Sequence, residues 1–200
     1  CAGTPDVLDP EDPWAAYEGR RGGLLLAVSA DDGAKVAELE FDGGPVHYRS
    51  PEDAREAGIE TVHQNLALVE DLTVWQNLYL NRELVKRVGP LAFLDRKAMR
   101  VEAERMVSGL AVNVPAVGSR VRRLSGGQRQ AVAICRASGF ASKLIIMDEP
   151  TAALGVQETA KVEELIQNLR DEGHAIVLIS HNFDQVLRLS DAICVMRAGR

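Results

Sequence analysis

Three short stretches hold residues whose types and spacing suit work on a charged, phosphate-like group. The first is Leu124-Ser125-Gly126-Gly127-Gln128-Arg129-Gln130, a Ser-Gly-Gly turn that runs into a helical pattern from Gln128 to Ser138. Amides at a helix start are unpaired donors at the positive end of the helix dipole, and glycines let an anion come close to them. The second is Leu144-Ile145-Ile146-Met147-Asp148-Glu149-Pro150-Thr151, where four apolar residues lead into adjacent acids. Such a run reads as a buried strand, and the carboxyl end of a strand is where doubly wound sheets hold ligands, so Asp148 and Glu149 are placed where a ligand would bind. The third is the apolar run Ile176 to Ile179 with Ser180, followed by His181, again just past a strand end. Each alone has an ordinary structural reading, as a helix start, a strand cap or a surface histidine; their order along the chain sets them apart.

From Ala34 onward the pattern is regular enough to say what holds these residues. Val36 to Phe41 alternates, Asp42-Gly43-Gly44 signals a turn, and Val46 to Tyr48 is expected to pair back as a hairpin. Ser50-Pro51-Glu52-Asp53 opens a helix, with serine as N-cap, proline in the first turn and acids at the positive end, and Gly58 closes it. Ile59 to Val62 reads as a short strand leading to Gln64. Leu72 to Gly109 reads mainly helical, with Asp95 as N-cap of a segment that puts Ala98, Ala103, Met106, Val107 and Leu110 on one face. After Leu124 the order is helix, strand (Lys143 to Met147), helix (Val162, Leu165, Ile166 and Leu169 on one face), strand (Ala175 to Ser180), helix (Phe183 to Leu189) and strand (Ala192 to Arg197). Strands alternating with helices imply an α/β fold, a mostly parallel sheet with helices on both faces. In residues 1–33, by contrast, Pro5, Pro10 and Pro13 lie among Asp6, Asp9, Glu11 and Asp12, and no periodicity runs through them.

Composition narrows the function classes. Two hundred residues suit one domain with a sizeable core, and aromatics at 4% make that core mostly aliphatic. A net charge of −6 argues against a general nucleic-acid binder, which needs a basic surface to neutralise phosphates. Apolar stretches such as Leu24 to Val28 fall far short of the roughly twenty residues of a membrane helix, so a membrane role is expected to run through a partner. Cys1, Cys135 and Cys194 are odd in number and lack metal-like spacing, which predicts reduced, structural thiols. His47, His63 and His174 lack the setting that singles out His181. The chain starts without Met, and a fragment is the expected reading.

Taken in order, Gln64, Leu124 to Gln128, Leu144 to Glu149 and His181 resemble the Q-loop, signature sequence, Walker B strand and switch histidine of the nucleotide-binding domain of ABC transporters. The resemblance covers about residues 34–200. It implies a P-loop NTPase-like ABC ATPase domain with a helical subdomain over about 65–123 that faces transmembrane partners, and leaves 1–33 as a segment without family likeness. It also implies ATP and Mg²⁺ as cofactors. Asp148 would hold Mg²⁺ through water, Glu149 would be the base that polarises the attacking water, His181 would contact the γ-phosphate and help orient that water, and Gln64 would sense metal and water. Ser125, Gly126, Gly127 and Gln128 would touch the γ-phosphate bound by an opposite subunit, which implies a head-to-tail dimer. Within the family, Ser50 to Ala54 with Gly58-Ile59, Leu66 to Val74, and Ala152 to Val156 look most like the ATP-binding subunits of bacterial monosaccharide importers. The expected function is an ATP-binding and ATP-hydrolysing subunit that powers a sugar importer from the cytoplasmic face of the inner membrane. Its expected partners are permease subunits and a second ATP-binding subunit, with no nucleic acid.

Two positions depart from the family pattern. Ala152-Ala153-Leu154-Gly155 stands where relatives generally carry an aspartate, and no Gly-x-x-x-x-Gly-Lys-Ser/Thr phosphate loop occurs in the sequence, Lys35 being the only lysine before residue 60. The alternative expectation is therefore a degenerate, non-catalytic or truncated subunit that lends Ser125 to Gly127 to a partner's ATP. A translation factor or DNA-repair ATPase is disfavoured by the short insert between Gln64 and Leu124 and by the acidic charge.

Overall fold

The computed structural model describes residues 6–7, 25–26, 39–41, 44–109, 114, 116–141 and 143–195. The described elements run β1 (Asp6–Val7), β2 (Leu25–Leu26), β3 (Leu39–Phe41), β4 (Gly44–Val46), α1 (Pro51–Glu56), β5 (Ile59–Val62), α2 (Val74–Leu78), β6 (Val85–Val88), β7 (Leu91–Leu94), α3 (Arg96–Gly109), a 3-10 turn (Val121–Arg123), α4 (Gly126–Phe140), β8 (Leu144–Asp148), α5 (Val156–Asp171), β9 (Ala175–Ile179), α6 (Phe183–Leu189) and β10 (Ala192–Ile193). The sequence expectation for residues 1–33 falls mostly outside the described residues, as do Leu110 and the end of the last strand at Arg197.

A parallel sheet in the order β5-β8-β9 forms the centre. Its middle strand, β8, is apolar at four successive positions because both of its faces are covered, so alternation with polar residues is not needed. Ile145 and Met147 face the larger hydrophobic cluster with α4 and α5, where Val132, Ile134, Val162, Leu165 and Leu169 are buried. Leu144 and Ile146 face the opposite side, against Phe41, Val46, Tyr48, Ala54 and Ala57. The α5 stripe of Val162, Leu165, Ile166 and Leu169 is buried as its 3.6-residue spacing requires. At α1, the Ser50 hydroxyl accepts the Asp53 N–H at 3.2 Å, and Gly58 turns the chain at φ +90° into β5.

Two expectations are corrected. The first hairpin returns through Gly44–Val46 rather than Val46 to Tyr48, with Leu39 opposite Val46 and Phe41 opposite Gly44. Asp42 and Gly43 alone lie between the strands, so Gly44 is used by the ladder rather than by the turn. The stretch from Leu72 to Gly109 is not helical throughout: β6 and β7 form an antiparallel hairpin between α2 and α3. Gly89 at φ +62° followed by Pro90 breaks any helix there, and the flanking residues of Val85-Lys86-Arg87-Val88 and Leu91-Ala92-Phe93-Leu94 pair across that turn. The helix begins after it, with Asp95 Oδ1 accepting the Ala98 N–H at 3.0 Å as expected, and buries Met99, Ala103 and Val107.

Candidate functional site

Because β5, β8 and β9 are parallel and in register, Val62 beside Met147 beside Leu178, their carboxyl ends open on the same edge of the sheet. That edge carries Asp148 as the last residue of β8, and Gln64, Glu149 and His181 on the connections that follow. Glu149 takes a left-handed backbone at φ +48°, which a residue with a side chain keeps only when its surroundings enforce it. The enforcement is visible. Its N–H donates to the Ile179 carbonyl at 2.9 Å, and its Oε1 accepts the His181 N–H at 2.9 Å while lying 2.6 Å from His181 Nδ1. The Glu149 carboxylate is sheltered at 17% side-chain exposure, whereas the His181 ring stands 83% exposed. An ionised carboxylate only accepts, so the proton of a neutral His181 ring sits on Nδ1. A sheltered carboxylate held by a backbone N–H and an imidazole is an arrangement able to take a proton from water.

The Ser-Gly-Gly turn is built as a capping box. Ser125 Oγ accepts the Gln128 N–H at 3.3 Å, and the Gln128 side chain accepts the Ser125 N–H at 3.0 Å. A carboxylate from α5 lies on the same helix start: Glu158 Oε1 accepts from Ser125 Oγ at 2.9 Å and from the Gly127 N–H at 3.3 Å. A Cβ at position 127 would come within 3.0 Å of the Glu158 side chain, so glycine there is what admits that carboxylate. The Ser125 hydroxyl first, and the Gly127 amide after it, hold the Glu158 carboxyl below the ordinary glutamate range.

A family profile for ABC transporters matches residues 24–152, well over half of the chain. The chain belongs to the ABC transporter family. It is 44% identical over 177 residues to the xylose/arabinose import ATP-binding protein XylG of Sulfolobus acidocaldarius, covering 88% of this chain and 69% of the relative. It is 46% identical over 179 residues to the fructose import ATP-binding protein FrcA of Rhizobium meliloti, covering 87% and 67%. Among solved structures, the dimeric post-hydrolysis state of an ATP-binding cassette bound to ADP and Pi aligns with a TM-score of 0.58 at 22% identity, covering 76% of this chain and 66% of that one, a likeness of fold. The chain thus spans about two thirds of the length of these relatives. The P-loop ABC ATPase fold expected from the motifs is the one found, and family membership makes the chain an ABC-type ATPase domain.

The ABC family takes ATP, generally with Mg²⁺, and the described residues can be tested for fit. The start of α4 already accommodates one anionic oxygen, that of Glu158, on a hydroxyl and a glycine amide, so it suits a phosphate oxygen. Among the described residues no group of three or more His, Cys, Asp and Glu forms a metal cage. Asp148 and Gln64 offer only oxygen donors of the kind Mg²⁺ uses, in the small number usual where substrate phosphates and water complete the shell. Gln64 is exposed on the connection after β5, and further along it Arg136 of α4 donates to the Ala67 and Leu66 carbonyls at 3.0 and 3.2 Å, beside Ala67 at φ +49°.

Three residues that bond to these connections escaped the sequence reading: Glu158, Arg136 and Gln185. Gln185 had a signal, since it lies four residues before Leu189 on α6 and therefore shares that helix's buried face, a strange place for an amide. Arg136 and Glu158 had none, because their partners are 69 and 33 residues away in the chain. Cys135 is buried, which pushes its thiol up to about 12 and leaves it unreactive, while Cys194 is exposed.

Proposed function

We propose that this chain is the ATP-binding and ATP-hydrolysing subunit of an ABC importer for a sugar. It works as a dimer beneath transmembrane permease subunits, on the cytoplasmic face of the membrane. The observation that carries the hydrolytic part is the Glu149–His181 junction, a sheltered carboxylate joined to an exposed imidazole at the carboxyl edge of the sheet. The sugar is supported by the relatives named for xylose/arabinose and fructose import. The dimer is supported by the fold-level likeness to a dimeric cassette. Among the described residues no helix is long and apolar enough to cross a membrane, in keeping with a role through partners. In domain terms the proposal assigns 34–200 to the ATPase domain, with the family match reaching back to residue 24, and about 65–123 to the subdomain that meets the permease.

Mg²⁺-bound ATP supplies the phosphoanhydride bond that is broken. Asp148 and Gln64 would hold Mg²⁺, which would offset charge on the phosphates, and Gln64 would also reach the attacking water. Glu149 accepts the proton of that water, and His181 keeps the carboxylate in place through its N–H and Nδ1. Ser125, Gly126, Gly127 and Gln128 present the start of α4 to the γ-phosphate held by the other subunit.

The test is made in a chain given a family-type phosphate loop ahead of Ala34. Glu149→Gln in that background is expected to keep Mg-ATP binding and to slow turnover by about 10²- to 10⁴-fold, the range for a lost general base. Unchanged turnover would remove Glu149 from the mechanism. The sugar assignment is checked by uptake of xylose, arabinose and fructose into proteoliposomes that hold the chain and its permease; a lack of ATP-dependent uptake of all monosaccharides would withdraw it.

A further inference from the structure

We infer that Gln185 is a positioning residue for the hydrolytic pair, its buried amide fixing the turn after Glu149 to the residue before His181. The inference rests on the reading of Glu149 and His181 given above. Gln185 is completely buried, 0% exposed, near the start of α6, where Asn182 accepts its N–H at 3.3 Å. Its side-chain nitrogen donates to Glu163 Oε1 of α5 at 3.1 Å. Glu163 is held in turn by Arg188 at 2.8 and 3.1 Å. A carboxylate can only accept, so Glu163 dictates which end of the amide is nitrogen. The amide oxygen then accepts from the Ser180 hydroxyl at 3.1 Å, while the Thr151 hydroxyl bridges the amide, donating to its oxygen at 3.1 Å and accepting from its nitrogen at 2.9 Å. Ser180 Oγ also accepts the Asn182 N–H at 3.1 Å, so the backbone on either side of His181 is tied to the same hub.

The identity of the partners is what separates this from an ordinary satisfied core amide. Thr151 lies two residues after Glu149, and Ser180 lies immediately before His181. One side chain therefore sets the spacing of the two connections whose tips meet at 2.6 Å. The left-handed backbone of Glu149 needs such a constraint, since it persists only where the surroundings over-determine it. A carboxylate at position 185 would face the Glu163 carboxylate, so a neutral amide is the group this arrangement requires.

The imidazole of His181 reports the geometry directly. With Glu149 accepting at Nδ1, the neutral ring carries its proton there; released from Glu149, it reverts to the Nε2–H form that histidine prefers in water. The measurement is ¹⁵N NMR of the full chain labelled at histidine, about two pH units above the ordinary histidine value of roughly 6.5, with the His181 signal assigned by its loss in His181→Gln. The native chain is expected to show the Nδ1–H form as the majority, and Gln185→Leu to turn it into the minority. Thr151→Val, which keeps volume and leaves the amide on Glu163, is expected to shift the ratio the same way and decides the matter if Gln185→Leu does not fold. The exchanged pair Glu163→Gln with Gln185→Glu is expected to restore the native ratio, because it reverses donor and acceptor while keeping the bond. Retention of the Nδ1–H form in folded Gln185→Leu or in Thr151→Val overturns the inference, as does failure of the exchanged pair to restore it. None of these outcomes depends on turnover, so a Glu149→Gln result that removed Glu149 from the mechanism would leave them legible.

Discussion

The Glu149–His181 junction and the Ser125–Gly127 turn are chemically alike and supported differently. In each, one glutamate oxygen bridges a backbone N–H and a side chain: Glu149 takes the His181 N–H and ring, and Glu158 takes the Gly127 N–H and the Ser125 hydroxyl. The junction is rooted in the interior, with Met147 fully buried one residue before Asp148 and Gln185 fully buried beneath it. The turn is on the surface, where Ser125 is exposed and its partner glutamate reaches over from a neighbouring helix. Folding itself assembles the first. The second is a contact that water and another anion can compete for.

Removing the root of the junction is expected to give the largest effect. Met147→Ala should cost about 2–5 kcal/mol in urea unfolding, the range for emptying a packed core site, and a cost under about 1 kcal/mol would show that the strand under the junction is not tightly packed. Next comes the polar hub: Glu163→Ala takes one of two acceptors from a buried amide nitrogen and should cost about 1–3 kcal/mol in the same assay. If Glu158→Ala destabilised the chain by more than Glu163→Ala, the contrast between a carboxylate bonded to a buried amide and one bonded to an exposed serine would fail. Smaller still, Ser125→Ala removes an N-cap from α4 and should cost about 1 kcal/mol.

The smallest effect is one of pH. The Glu158 carboxyl is held below its ordinary value of 4.5, chiefly by the Ser125 hydroxyl and then by the Gly127 amide. A carboxyl whose folded pKa is depressed adds stability that is complete above the unfolded value and is lost as the pH falls through the folded one. The melting-temperature difference between the native chain and Glu158→Gln is therefore expected to be present at neutral pH and to vanish on acidification below 4.5. A difference that grew on acidification would reverse the sign and remove the contact.

Some parts of the site were legible because they are local. The N-caps at Ser50 and Asp95 each pair a side chain with an amide three residues on, so the sequence contains both partners; the Ser125 cap starts its helix at Gly126, two residues before the Gln128 start read from the sequence. The α5 stripe and β5 were equally plain. The β6–β7 hairpin was misread as helix because its apolar residues around Gly89-Pro90 fit a helical face almost as well as an alternating one over so short a run. Its glycine–proline pair was the available signal.

By itself the sequence determined the order of the motifs, the alternation of strands and helices, and the side chains set at strand ends, because each depends on residues within a turn or two of one another. Only the tertiary structure decided which of those side chains meet. Parallel pairing of β8 with β9 brings Glu149 to His181 across 32 residues of chain, and the packing of α5 and α6 buries an amide between Thr151, Ser180 and Glu163. Contacts of that span carry no periodicity along the chain; they follow from which helix faces bury against which sheet, and that is settled only when the core is packed.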